Sequence, residues 1–358
     1  LLPGLASTGP PTSVRRWALR LLLFKVMFLS GYVKLASGDE TWRSLTAMAY
    51  HYWTQPLPNA VSWYMHQLPL LAQKASAAAM FGIELALPFL VLVPRTPRYV
   101  AFGGLAALQL GIALTGNYGF FNLLSLVLCT VLLDDRPLAS VLPRALSAGS
   151  GEDVPARGRE SLVRIVGAGA AAGAAALSLI PLAATLSRPR LPQGLAKVRA
   201  QLSPLNTFNS YGLFAVMTTE RPEIVVEGSA DGETWKPYGF HYKPTAPEER
   251  PKLVPPGHMP RLDWQMWFAA LAGHCGSARW YLGFAKRLLE NERTVTRLLE
   301  VNPFTDAPPR YLRSTLYQYR FTTREQRRAT GAWWTRTRVG RFCPTLTLVD
   351  GELGVLPE

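Results

Sequence analysis

Five histidines, at positions 51, 66, 241, 258 and 274, are the first residues to weigh for acid–base or metal chemistry, and none stands at a zinc-ligand spacing from another. Three cysteines, Cys129, Cys275 and Cys343, are too few and too scattered for a zinc site or a disulfide scaffold. The chain holds no GxSxG, HExxH, P-loop or GxGxxG string, so no catalytic residue, cofactor-binding residue or metal ligand is nominated. Lys25 and Glu84 differ from these because they interrupt apolar runs, where an ionisable group is costly unless it is paired or faces a cavity. Glu84 reads either as the structural partner of Lys25 or Lys34 or as a proton or substrate contact. Asp134-Asp135 could suggest a metal or phosphate, but beside Arg136 at a helix end they read as a solvated boundary.

The elements that position these residues are membrane spans in the first half. A bilayer core of about 30 Å needs about 20 apolar residues in a helix. After an N-terminal flank (1–16), segments 17–36, 75–93, 99–115, 118–133 and 162–186 are read as spans. The third and fourth form a helical hairpin broken at Thr115-Gly116-Asn117-Tyr118-Gly119, which is turn chemistry. The last is rich in Ala and Gly, the small residues that let transmembrane helices approach closely. Residues 37–74 make an outer loop dense in Trp, Tyr and His, read as an interfacial aromatic belt with a Pro-fixed turn, and residues 135–161 make a polar cytoplasmic linker. With the N-terminal flank in the cytoplasm, ten arginines lie on or near that side, whereas the opposite short segments hold only Lys34, Arg43 and Lys74. Loop 37–74, the Gly116-Asn117 turn and everything after Ser187 then face outward or into a lumen.

Hydrophobic residues make up 48% of the 358 and charged residues 17%, which excludes disorder. The net charge of +14 is divided between the halves as +6 and +8, with no Lys/Arg-rich run, so nucleic acid is not an expected partner. Residues 187–358 read as a soluble β-rich domain with inserted helices. An apolar run from Ile224, an Asp231-Gly232 turn and an aromatic run from Thr234 signal a hairpin. Helical spacing marks residues 263–271, 279–289 and 293–299, with Asp263 as an N-cap or first-turn acid, and strands are expected at 311–322 and 333–341. The whole is therefore expected to be an α-helical multi-pass membrane bundle followed by a β-rich (α+β, sandwich-like) extracytoplasmic domain. Cys275 and Cys343, both on the outer side in this topology, either approach each other as a disulfide or stand as two buried thiols.

The strings SGYVKLASGDETWRSLTAMAYHYWTQPLPN (30–59), TGNYGFFNLL (115–124), YGLFAVMTTERPEIVVEGSADGETW (211–235), PRLDWQMWFAAL (260–271), NPF (302–304) and GAWWTRTRVGRF (331–342) closely resemble the lipase maturation factor family. The resemblance implies a multi-pass membrane protein, residing in the endoplasmic reticulum in vertebrates, that helps homodimeric secreted lipases fold and assemble. It implies a client lipase or other secreted protein and the bilayer as partners, and no catalytic residue or cofactor. The Ala/Arg/Gly-rich composition looks bacterial, which would place the chain in an inner membrane, and the initial Leu suggests that the true start is missing. A looser likeness to membrane domains of vitamin K-dependent carboxylase type supplies an alternative. That alternative is an enzyme acting on a lipid- or quinone-like cosubstrate through Glu84, Lys25 or His51.

Under the maturation reading, function rests on an outer surface formed by Tyr50, His51, Trp53 and Gln55 of the loop, Asn117 and Tyr118 of the turn, and Trp264 and Trp267 of the DWQMWFAAL helix. Trp264 and Phe268 share a helix face, where core packing and partner contact are both open. The loop and turn are the better interface candidates.

Overall fold

A computed structural model describes residues 13–93, 95–134, 193–202 and 212–356, together with Gly169 and Gly173 in helical conformation. The expected span 162–186 and linker 135–161 lie outside these residues, save for those two glycines. The described chain divides into two compact units, one built from residues up to 44, 77–110 and 123–216, the other from residues 45–76, 111–122 and 217–358.

In the first unit, helix α1 (Ser13–Ala36) is followed by the short α2 (Glu40–Arg43), capped by the Asp39 carboxylate on Thr41 N and Trp42 N. Helices α3 (Ala47–Thr54) and α4 (Ala60–His66) belong to the second unit, while α5 (Leu70–Leu90) and α6 (Arg95–Thr115) are shared between the two. Helix α7 (Phe121–Cys129) ends in a 3₁₀ turn, and α8 (Gln193–Leu202) stands beyond it. Among the described residues two segments, Leu70–Leu90 and Thr96–Thr115, are long and apolar enough to cross a membrane, and Phe121–Leu132 is a shorter apolar helix. Leu23, Met27, Val91, Ala101, Leu105, Cys129 and Leu132 form the unit's core. Its exposed side chains include Leu22, Phe89, Val100, Leu110, Leu124 and Val127, while Lys25, Lys34, Glu84 and Gln109 are buried. Apolar groups outside and polar groups inside suit a lipid surround. Gly31 makes one close approach possible: a Cβ there would meet Glu84 Cβ and Leu85 Cδ2 at 2.9 Å.

The second unit holds one antiparallel sheet of five strands in the order β2-β1-β3-β4-β5, comprising β1 (Pro222–Ser229), β2 (Lys236–Pro237), β3 (Tyr311–Phe321), β4 (Trp334–Val349) and β5 (Glu352–Val355). Side chains alternate faces along a strand, and here both faces of β1 and β3 are covered. Ile224, Val226, Leu312 and Leu316 pack with Met266, Tyr281, Ala285 and Leu288 from helices α9 (Arg261–Ala272) and α10 (Arg279–Leu289). Tyr319 and Phe321 pack instead with Trp53, Trp63, Trp333 and Trp334.

The sandwich-like expectation is corrected accordingly: helices, rather than a second sheet, cover one face, and the segment holding α3 and α4 covers the other. Strand β1 is buried almost throughout, which explains why its centre, Ile224-Val225-Val226, is apolar at successive positions instead of alternating. The interfacial-belt reading of loop 37–74 is likewise corrected. Those residues form α2, α3 and α4, and Trp42, Tyr52, Trp53 and Trp63 are buried.

Smaller differences have local causes. The helix expected at 293–299 is α11 (Arg293–Thr296), because the bonds Leu298 N→Val295 O and Leu299 N→Thr296 O tighten its end. Strand β4 continues past the expected 341, with Pro344 falling between the Cys343 and Leu346 pairings, where the register shifts. Helix α12 (Arg324–Thr330) was not anticipated, although Thr323 and Gln326 form a capping box and Gly331 closes it at φ 73°.

Candidate functional site

Within the second unit, the segment after α3 is fixed by an arginine buried beneath it. Arg221 donates from Nη1 to Trp53 O at 3.0 Å and to Gln55 O, and from Nη2 to Pro56 O at 3.0 Å. Its guanidinium also lies 2.6 Å from Glu223 Oε1 and 5.1 Å from the centre of the Trp334 ring. Lys243 Nζ completes the cluster 3.4 Å from Glu223 Oε2, donating to Ile224 O at 3.0 Å. Backbone that leaves α3 ahead of Pro56 has carbonyls without helical partners. A planar guanidinium with five N–H donors satisfies three of them at once, which a lysine ammonium does less well. Burial draws the Arg221 pKa below its ordinary value against the opposing pull of Glu223.

The turn between α6 and α7 joins the same assembly. Asn117 Nδ2 donates to Leu57 O at 3.0 Å and Lys252 O at 2.9 Å, and its Oδ1 accepts from Val254 N at 2.9 Å. Gln55 Nε2 donates to Thr115 O at 2.8 Å, while Gln55 Oε1 accepts the Tyr118 phenol at 2.7 Å. Tyr118 has one proton to give, so His51 Nε2, 3.1 Å from the phenol oxygen, serves as donor in this network. A side chain at Gly116 would collide with Gln55 Oε1, which accounts for the glycine there. Trp267 Nε1 donates to Thr54 O at 3.1 Å, and Tyr118 meets Trp264 edge-on at 6.3 Å.

Loop, turn and helix residues nominated from sequence thus lie together in one unit, but they do not all present a surface. Trp53, Gln55, Asn117 and Trp267 are buried and hold backbone, whereas Tyr50, His51, Tyr118 and Trp264 are half-buried. An exposed aromatic beside them is Phe268, 6.3 Å from Trp264. Asp263 sits in the first turn of α9 without capping it. Its Oδ1 accepts from Tyr242 N at 2.8 Å and Lys243 N at 3.0 Å, and burial holds its pKa above the usual carboxylate range. Cys275 and Cys343 are joined as a disulfide.

In the first unit Glu84 Oε2 pairs with Lys34 Nζ at 2.8 Å, and Lys34 also donates to Ser30 O at 3.0 Å. Lys25 is buried. The pair answers the cost of ionisable groups in an apolar helix. Asp134 accepts from Arg98 Nη2 at 3.3 Å and from the Tyr99 phenol at 2.9 Å. Arg221, Glu223 and Lys243 escaped sequence reasoning. Their only signal was an Arg-Pro-Glu entry to an otherwise apolar strand.

Two family models match the chain, the lipase maturation factor transmembrane domain over residues 3–140 and the lipase maturation factor C-terminal domain over residues 207–344. The chain belongs to the lipase maturation factor family. It is 36% identical to lipase maturation factor 2 of Gallus gallus over 446 aligned residues, covering 98% of this chain and 62% of that protein. Identity to lipase maturation factor 2 of Homo sapiens is 35%, with 98% and 62% covered, and to lipase maturation factor 1 of Bos taurus 34%, with 96% and 63% covered. The chain thus spans somewhat less than two thirds of the length of these relatives. No solved structure matches it. Membership, with the two apolar helices, makes this lipase maturation factor family member a membrane protein. The matches lend no support to a carboxylase-type enzyme.

Proposed function

We propose that the chain is a membrane-anchored maturation factor that assists the folding or assembly of secreted lipases or related secreted proteins. The observation that carries this reading is similarity to named lipase maturation factors through both the transmembrane and the C-terminal domain. The arrangement proposed is a multi-pass bundle with the second unit on the luminal or extracytoplasmic side, in the endoplasmic reticulum by family resemblance. No chemistry of its own is invoked. The buried polar groups around Arg221 and Asn117 are engaged in holding backbone, as a rigid scaffold requires.

Client contact is assigned to the face carrying Tyr118, Trp264 and Phe268, continued by the exposed Leu271 one turn along α9. Met259 extends it, lying where a Cβ on Gly119 would meet its sulfur at 2.9 Å. Aromatic anchors dominate interfaces because they bury much area at little entropic cost. The test is co-expression with a homodimeric secreted lipase in cells lacking their own maturation factor. Phe268→Asp with Leu271→Asp is expected to lower active lipase by about tenfold or more, the scale of a lost hot spot, at unchanged membrane level of the factor. Full lipase activity in that variant would remove this face from consideration.

A further inference from the structure

We propose that the second unit carries a headgroup site for an anionic phospholipid, formed by Arg324, Arg327 and Arg328 of α12 against Trp63 and Tyr64 of α4. These residues, with Gly331, line an open cleft of about 430 Å³, within the size range of small-molecule sites. Three arginines line it, and among the described residues none of them makes an ion pair. The one carboxylate on α12, Glu325, is exposed. Arg327 is held by aromatic faces, 3.5 Å from the centre of the Trp333 ring and 5.0 Å from that of Trp63, and its buried Nε has no hydrogen-bond partner. A guanidinium fixed by stacking has lost its rotamer freedom in advance and keeps its N–H edge for a planar or tetrahedral oxyanion, which it binds bidentately.

The place of the cleft in the chain selects a lipid as the source of that oxyanion. Helix α4 is followed at Leu70 by α5, a helix long and apolar enough to span a membrane. Helix α4 and the turn after it are tied to the residue preceding the α12 cap: Trp63 Nε1 donates to Thr322 Oγ1 at 3.3 Å and Gln67 Nε2 to Thr322 O at 3.1 Å. Gln73 Nε2 closes the turn onto His66 O at 2.9 Å and Leu68 O at 3.0 Å. The arginine helix is therefore pinned beside the point where the chain enters an apolar span. Tyr64, Leu70 and Leu71 are exposed there, a Tyr-and-Leu border of the kind found at the headgroup level. Basic side chains at that level attract anionic lipids, and the attraction is screened by salt.

Calorimetric titration of the purified full chain in neutral detergent tests this, using short-chain dihexanoyl phosphatidylglycerol, dihexanoyl phosphatidylcholine and glycerol 3-phosphate as probes. Saturable binding of the phosphatidylglycerol, weakened by salt and absent for the phosphatidylcholine, is expected. Arg324→Gln with Arg328→Gln, both on exposed side chains, should weaken it about tenfold or more, since each removes charge-assisted hydrogen bonds. Arg293→Gln with Arg297→Gln, exposed residues outside the cleft, should leave it unchanged. If the glutamine pair lowers the unfolding midpoint, the charge-conserving Arg324→Lys with Arg328→Lys replaces it, with affinity expected between wild type and background. Equal binding of both lipids, wild-type affinity in the cleft variants, or an equal loss in the control pair overturns the site. Glycerol 3-phosphate binding as tightly as phosphatidylglycerol overturns the lipid assignment in favour of a free phosphate. No client lipase takes part, so the outcome is independent of the maturation reading.

Discussion

Arg221 does at the residue scale what a longer stretch of secondary structure would otherwise have to do. It satisfies three carbonyls of the segment after α3 and carries its charge next to Glu223. Removing one member of a buried ionic group costs about 3–5 kcal/mol because the remaining groups are left without compensation. Arg221→Met should therefore lower stability by that order in a thermal melt of the detergent-solubilised protein, and Arg221→Lys should recover only part of it. A loss below about 1 kcal/mol, the worth of one ordinary hydrogen bond, would show that Arg221 does not clamp the segment.

His66 gives a second residue-scale prediction. Burial lowers its pKa below the ordinary value of 6.5, and its ring packs 5.9 Å from Phe321 and 6.5 Å from Trp53. The folded state then binds fewer protons than the unfolded state just below pH 6.5, so stability rises with pH through that window and falls on acidification. Melting temperatures taken between about pH 7.5 and about pH 5.5, a range that brackets the titration of an ordinary imidazole, should decline on acidification for wild type and decline less for His66→Gln. Parallel declines in the two proteins would assign the acid sensitivity elsewhere.

At the scale of elements, the disulfide connects the 3₁₀ turn after α9 to β4 across a sequence separation of 68 residues. That closes a loop containing α10, α11, β3 and α12, so the helical layer is tied to the sheet it covers. Closing such a loop limits the unfolded chain and contributes about 2–4 kcal/mol. Cys275→Ser with Cys343→Ser should lower the melting temperature accordingly, and reductant should lower the wild type toward the double variant without affecting the variant itself. An unchanged midpoint under reductant, with free thiols verified, would show that the bridge adds no stability. Segment 45–67 is the matching element on the opposite face. It brings Trp53 and Trp63 to Tyr319, Phe321 and Trp334, so the sheet has two buried faces although only one of its covering layers comes from the C-terminal part of the chain.

For the whole molecule, a net charge of +14 spread over both halves fits a membrane protein with basic short loops better than a nucleic-acid binder. The topology proposed above, which rests on the short-loop asymmetry, puts residues 135–161 and the sheet domain on opposite sides of the bilayer. A cysteine introduced at Ser147, in the linker, and one at Glu233, exposed beside β2, should be labelled by a membrane-impermeant maleimide from opposite sides of sealed vesicles. Labelling of both from one side would reverse the parity of the spans.

By itself the sequence marked the two apolar helices, read over 75–93 and 99–115 and found at 70–90 and 95–115, and the strands β1 and β3, because those depend on period, whereas the short helices α2, α3, α4 and α12 were not marked. It also marked TGNYG as a turn, because glycine and asparagine are needed where the backbone reverses. Partnership between distant segments was not legible in it. Nothing in YHYWTQPLP states that its aromatics will be buried on a sheet formed by residues far along the chain, since an aromatic belt and a packed core have the same composition. The arginine that decides the matter, Arg221, looks like a surface charge until three carbonyls and a carboxylate are seen around it. Tertiary structure alone assigned Glu84 to Lys34 rather than Lys25 and joined Cys275 to Cys343. It also turned the expected surface residues Trp53, Gln55 and Asn117 into buried supports. The physical reason is the same in each case: burial and pairing depend on contacts between segments far apart in the chain, whereas periodicity reports only on neighbours along it.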